Sequence, residues 1–472
     1  MWRRTRTGRW NRCGAGSWRT RAWADRRGRG AGPRPRQRPC CAGVLAPCAA
    51  WACTSRPKFS CPREVDVRTT SGSASRPRPR SAFPSGSRGR RWAASVAALA
   101  AAVALSSAAP APQPAKTRSA ADGLRVTQIQ AMATHNSYHR EAPFAEQQLM
   151  AQHDPDFRTL LYSHASLPVQ FSRQQARGIE LDVFPDPDGG LYADPLIRKG
   201  AGLPPQDDPD LSEPGFKVMH WADFDYHSSC VTLRRCLTQV KKWSERRPGH
   251  VPVPVLLELK ETDPEMEARG GAKSPPWDTG MLDALDAEIR TVFPDEATVT
   301  ADDIRRPGET LEESVRKHGW PRLSAARGKV MFLMDNDDQK LQDAYRAGGR
   351  ESLQGRVLFT DSEPGRPDAA FMKVNDPTGP NKAVIQDLAR QGYFVRTRSD
   401  VPLDQAAGGD TGMLRDALVS GAQMVSTDFP VPGLAARYGS DYVAELPRGS
   451  GPVRCNPVTA PGRECPGGRM ER

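Results

Sequence analysis

Residues 178–184 read GIELDVF. Apolar Ile179, Leu181 and Val183 alternate with Glu180 and Asp182, which is the period of a β-strand. Alternation puts both carboxylates on one face of that strand. An acidic face on an otherwise apolar run does not belong in a plain core, so its neighbours decide what it is for.

Working outward, further apolar runs occur at 127–133, 216–219, 253–259, 329–334, 357–359, 393–395 and 424–426. Helical periodicity falls between several of them, at 168–177, 232–246, 281–292, 381–390 and 411–420. In the second, Leu233, Leu237, Val240 and Trp243 recur at spacings of three and four. Eight strands interleaved with helices predict a single-domain α/β fold, a TIM-like (β/α)8 barrel over 116–472. A doubly wound open sheet fits the same alternation nearly as well.

Polar residues close the runs. The first ends in His135-Asn136-Ser137, the second in Glu180-Leu181-Asp182, the third in His220, and the fourth carries Glu258-Leu259-Lys260. In a parallel barrel the C-terminal strand ends surround the active site, so these residues are candidates for chemistry. Asn136, Glu180, Asp182 and Glu258 offer hard oxygen donors, suited to Ca2+ or Mg2+ rather than zinc. His135 and His220 remain as an acid/base pair. Two imidazoles and one hard cation suit cleavage of a phosphodiester. The bland alternatives are a solvated strand face for Glu180 and Asp182, and a simple ion pair between Glu258 and Lys260. Arg396 and Arg398 share a face and read as a phosphate grip or a solvated edge, and Lys260 reads as a phosphate contact or only as the balance for Glu258. Asp428 orients a histidine or the metal shell, or else is a turn residue. His139 and His227 read as non-catalytic, and Asp223 and Asp225 receive no role.

The chain of 472 residues has a formal net charge of +12, which by itself suggests a nucleic-acid or acidic-membrane partner. The charge is unevenly spread. Residues 1–91 hold 23 cations and three acids, whereas the remainder holds 44 cations and 52 acids. The basic head, 1–87, is rich in Arg, Pro and Gly without strand or helix period and reads as disordered or untranslated. RNA binding by the head is disfavoured because its aromatics lack the setting of a known module. Arg88, Arg90 and Arg91 precede an Ala/Val/Leu run and a Pro-rich stretch, so 88–115 reads as a secretory signal and linker. The apolar run is too short for a permanent membrane helix, and the Arg90-Arg91 pair leaves twin-arginine export open. A signal must be N-terminal, which implies a start downstream of Met1. Of ten cysteines, the body keeps Cys230, Cys236, Cys455 and Cys465. Three pairings are open, the local one being preferred over the others and over a zinc site of unsuitable spacing.

The ordered series His135-Asn136, Glu180-x-Asp182, His220 and Glu258-x-Lys260 resembles the constellation of calcium-dependent phosphatidylinositol-specific phospholipase C. The stretches ATHNSYH (133–139), GIELDVF (178–184), VMHWADFDYHSSC (218–230), VPVLLELK (253–260), GYFVRTRSD (392–400), SGAQMVSTDFP (420–430) and RCNPVTAP (454–461) look like its secreted bacterial, Streptomyces-type group. The resemblance implies a TIM-like barrel and one Ca2+ held by Asn136, Glu180, Asp182 and Glu258. It implies His135 as general base on the inositol 2-hydroxyl and His220 as general acid. It also implies Cys230–Cys236 and Cys455–Cys465 pairing. The expected partner is a phospholipid at a membrane interface, met by a secreted, monomeric chain without nucleic acid or membrane anchor. The alternatives are a glycerophosphodiester phosphodiesterase, which typically has His-Arg-Gly where this chain has His135-Asn136-Ser137, and a sphingomyelinase D-like activity.

Overall fold

In the computed structural model, residues 120–471 are described save 464 and 466–469, together with 2–4 and 10–12. Residues 1–106 are a unit of their own, in which Trp2–Arg4 and Trp10–Arg12 pair antiparallel. The rest of the expected leader, and the signal segment, lie outside the described residues.

The body carries ten strands: β1 Ile129–Thr134, β2 Ile179–Asp186, β3 Gly215–Val218, β4 Val253–Leu259, β5 Val330–Met334, β6 Leu358–Phe359, β7 Phe371–Lys373, β8 Phe394–Arg398, β9 Met424–Thr427 and β10 Val453–Cys455. Parallel ladders join β2 to β4, β4 to β5 and β5 to β6. A second parallel set joins β7 to β8, β8 to β9 and β9 to β1. The two sets meet twice. A parallel bridge links Asp361 to Phe371 beyond β6. On the other side Arg177 N–H donates to Met132 O at 2.9 Å, and Thr134 N–H to Gly178 O at 3.2 Å. Eight parallel strands therefore close into a barrel, and the open-sheet alternative is set aside.

The run at 216–219 is not a barrel strand: β3 runs antiparallel to the upper part of β2, Val183 opposite Val218 and Asp186 opposite Gly215. Its apolar residues pack a hairpin arm rather than the ring. The missing eighth parallel strand is β7, only three residues long, too short to leave a period in the sequence. Likewise β10, antiparallel to β1, went unpredicted.

Helix Leu233–Glu245 buries Leu233, Cys236, Leu237, Val240 and Trp243 along one side. Each such side chain contributes roughly 1.5–3 kcal/mol on burial. Thr232 caps the helix by accepting Arg235 N–H at 3.2 Å. Helix 168–177 ends early, at Leu167–Ser172, while Thr279–Val292, Asn381–Arg390 and Gly412–Ser420 lie where the periodicity places them. Disulfides Cys230–Cys236 and Cys455–Cys465 are both formed. A Cβ on Gly178 would lie 2.8 Å from Ala133 Cβ and 3.2 Å from Met424 Cε, across the lumen. Position 178 thus faces the barrel interior, and by alternation so do Glu180 and Asp182.

Candidate active site

Beyond β1 the chain gains one residue. Ser137, not Asn136, donates its backbone N–H to Glu180 O at 2.9 Å. The Ser137 hydroxyl accepts Glu180 N–H at 2.9 Å, a position an unbroken ladder would give to backbone. Asn136, the extra residue, takes φ +44°, in the left-handed region that Asn tolerates better than most side chains. The bulge delivers His135 and Asn136 together to the mouth.

Around the mouth, Glu180, Asp182 and Glu258 each present an oxygen within 4.8 Å of the others. Asp182 is fully buried, and neither of its oxygens accepts a hydrogen bond; nor does Asn136 Oδ1. Buried oxygens without hydrogen bonds are costly unless something else satisfies them, and Lys260 offers Asp182 only a 3.4 Å charge contact on one side. Burial pushes the Asp182 carboxyl well above its usual range, with Glu258 and Glu180 adding to the rise. Glu180 is raised to about 7 by burial, against the pull of Arg396. For Glu258, burial is outweighed by Lys260 and Lys373, which hold it below the ordinary value. Lys260 Nζ lies 3.2 Å from Glu258 Oε1 and 3.4 Å from Asp182 Oδ2. A hard divalent cation fits this donor set.

Two histidine–carboxylate pairs flank the cluster. His135 Nδ1–H donates to Asp428 Oδ1 at 2.8 Å, while Arg398 Nη2 donates to Asp428 Oδ2 at 2.8 Å. Arg398 Nη1 also stands 3.3 Å from His135 Nε2, which lies 3.7 Å from Glu180 Oε1. Burial and Arg398 lower the His135 pKa to about 3, so the ring is neutral. With Nδ1 protonated toward Asp428, Nε2 keeps its lone pair. His220 Nδ1–H donates to Asp225 Oδ2 at 2.8 Å. His220 reaches the mouth because β3 is antiparallel: its C-terminal end turns back to the level of Asp182, whose carbonyl accepts Met219 N–H at 3.2 Å.

A family model described as phosphoinositide phospholipase C, Ca2+-dependent, matches residues 124–457. The chain belongs to the calcium-dependent phosphoinositide phospholipase C family. It is a phosphoric diester hydrolase with calcium as cofactor. Among solved structures it is similar to a calcium-dependent phosphoinositol-specific phospholipase C of a Pseudomonas sp. That protein is 14% identical, with 71% of this chain and 96% of that chain covered and a TM-score of 0.43. The Ca2+-dependent phosphatidylinositol-specific phospholipase C of Streptomyces antibioticus is 16% identical, with coverages of 66% and 97% and a TM-score of 0.41. No curated protein matches the sequence.

The remaining candidates of this phospholipase divide. Arg396 is not free to grip a phosphate: it is 1% exposed, donates from Nη2 to Glu180 Oε2 at 2.5 Å and from Nε to Ser426 Oγ at 3.0 Å, and also bonds Asn375. It lies inside the barrel because it shares the inward face of β8 with Arg398. Arg398 is part-exposed beside His135. His227 is paired with Glu146 at 2.7 Å. Asp223 accepts backbone N–H groups from Leu196 and Ala272 and organises loops. Sequence reasoning gave Asp225 no role, and it passed over Lys373 and its partner Asp335. Asp225 lies five residues after His220, a spacing that a tight turn brings together: Asp225 N–H donates to Trp221 O at 2.9 Å.

Proposed function

We propose that this phospholipase splits phosphatidylinositol into diacylglycerol and an inositol phosphate, cyclic or opened, with His135 as general base and His220 as general acid. The supporting observation is the pair of histidine–aspartate contacts on either side of a cluster of buried, unsatisfied oxygens. Asn136, Glu180, Asp182 and Glu258 would hold one Ca2+. When bound, the ion supplies charge that offsets the phosphoryl oxygens and makes the attacking hydroxyl more acidic. The neutral Nε2 of His135 takes the proton of the inositol 2-hydroxyl as its oxygen attacks phosphorus. His220 gives a proton to the glycerol oxygen as the P–O bond breaks, and the electron pair of that bond stays with oxygen. Asp428 and Asp225 hold the rings in the tautomers these steps need. Arg398 and Lys260 lie where they would balance phosphate charge.

The substrate is a lipid at an interface, and among the described residues no helix is long and apolar enough to cross a membrane. Two local disulfides support export to an oxidising compartment. Phosphorus NMR of the full chain with calcium and either phosphatidylinositol or glycerophosphoinositol, with the extracted lipid assayed for diacylglycerol, tests the reaction. An inositol phosphate together with diacylglycerol is expected. Glycerol 3-phosphate from glycerophosphoinositol, with phosphatidylinositol untouched, would replace this reading by a glycerophosphodiester phosphodiesterase.

A further inference from the structure

Asp225 serves two rings. Its Oδ2 accepts from His220 at 2.8 Å, and the same carboxylate faces His139 Nε2 at 3.0 Å from Oδ1 and 2.9 Å from Oδ2. His139 is fully buried and lies on the Tyr162 ring, with centroids 4.3 Å apart. Its other nitrogen, Nδ1, is 3.0 Å from Tyr162 O. A carboxylate and a carbonyl can only accept, so both ring nitrogens must donate. A ring that donates from both nitrogens is an imidazolium. Burial opposes that charge, but Asp225 and the Tyr162 carbonyl raise the His139 pKa above its ordinary value. The other groups near it are the His220 ring, with centroids 6.4 Å apart, His164 and Asp428.

We infer that His139 is a standing cation that positions Asp225 and limits how tightly Asp225 holds the proton of His220. The inference rests on the reading of His220 as general acid. An aspartate with one histidine partner stabilises the imidazolium form of that partner and makes it a reluctant donor. Sharing the carboxylate with a second, permanently charged ring weakens that hold. His220 then releases its proton to the glycerol oxygen more readily, while His139 keeps its own throughout. Asp428 is likewise shared: Arg398 is the cation beside its neutral histidine there. His139 is therefore a positioning residue that acts through Asp225 and touches no reacting atom.

The test compares two leaving groups on one enzyme preparation, so that any inactive fraction cancels in the ratio. The first substrate is a soluble short-chain phosphatidylinositol, whose alkoxide must be protonated. The second is the 4-nitrophenyl ester of inositol 1-phosphate, whose phenolate leaves without a proton. For His139→Gln, kcat/KM should fall at least ~10-fold on the first and less than about 3-fold on the second. Equal losses on both would overturn the inference. His220→Ala is the control: if it too lowers both substrates equally, His220 is not the acid and the underlying reading fails as well. Should His139→Gln not fold, nitrogen NMR of the native chain decides. Both His139 ring nitrogens should remain protonated above the pH at which an ordinary imidazole has lost its proton; a neutral tautomer there would overturn the inference.

Discussion

Replacing Asp428 by Asn tests the tautomer on which the proposed base depends. Asp428 accepts two hydrogen bonds in fixed directions, from His135 Nδ1 and from Arg398 Nη2, each at 2.8 Å. An amide has one accepting end. Turned so that its oxygen meets Arg398, it presents NH2 to His135 Nδ1, which must then give up its proton; the proton moves to Nε2 and the base is gone. Turned the other way, NH2 meets the guanidinium and the Arg398 bond is lost. Each charge-assisted bond contributes about 1.5–3 kcal/mol, and both are broken or weakened. A loss of ~3–6 kcal/mol corresponds to roughly 10²–10⁴-fold in kcat/KM. The assay is initial-rate hydrolysis of soluble phosphatidylinositol at saturating calcium, with calcium binding measured in parallel. Asp428 is not among the carboxylates of the cluster, so calcium affinity should stay within about twofold of native. Activity within threefold of native would refute the reasoning about His135, whatever the cause of the contact seen.

Other consequences can be measured separately. Asp182→Ala removes the two most isolated oxygens of the cluster, and should raise the calcium concentration for half-maximal activity at least ~10-fold in a calcium titration. His164 is buried, and its pKa is lowered to about 4 from 6.5 chiefly by burial. The folded state therefore binds fewer protons than the unfolded chain between those values. Stability is complete above pH 6.5 and falls as pH drops toward 4, by up to ~3 kcal/mol. Urea unfolding should show a shallower acid loss in His164→Gln than in the native chain. Converting Cys230 and Cys236 together to serine unties Cys230 from the first turn of helix Leu233–Glu245 and should cost about 2 kcal/mol in chemical unfolding.

The barrel was legible because most of its strands bury long alternating or continuous apolar runs. β2 shows the strongest signal: Ile179, Leu181 and Val183 pack outward in the core while Glu180 and Asp182 face the lumen. The three-residue β7 left no such trace, and direction left none in β3, since an antiparallel arm has the same alternation as a parallel strand. His220 was selected as a strand end near the mouth, and it is near the mouth, but through a reversal that alternation does not encode. The clustering of Glu180, Asp182 and Glu258 followed from one-face spacing plus neighbouring strand ends. Asp225 and Asp428 depend on turns folded back on the histidines, and Arg396 on packing across the lumen. Those are tertiary relations between residues far apart in the chain, or geometries of a single loop, and residue type alone does not specify them.

The most direct test is to measure calcium binding and phosphatidylinositol cleavage on the same preparation of the full chain, across a calcium titration buffered by chelator. One ion per chain should bind, cleavage should rise in proportion to its occupancy, and Glu180→Gln should displace both curves together. Cleavage that continues undiminished in strong chelator, or that rises independently of the bound ion, would contradict the assignment of Asn136, Glu180, Asp182 and Glu258 as the calcium site of the reaction.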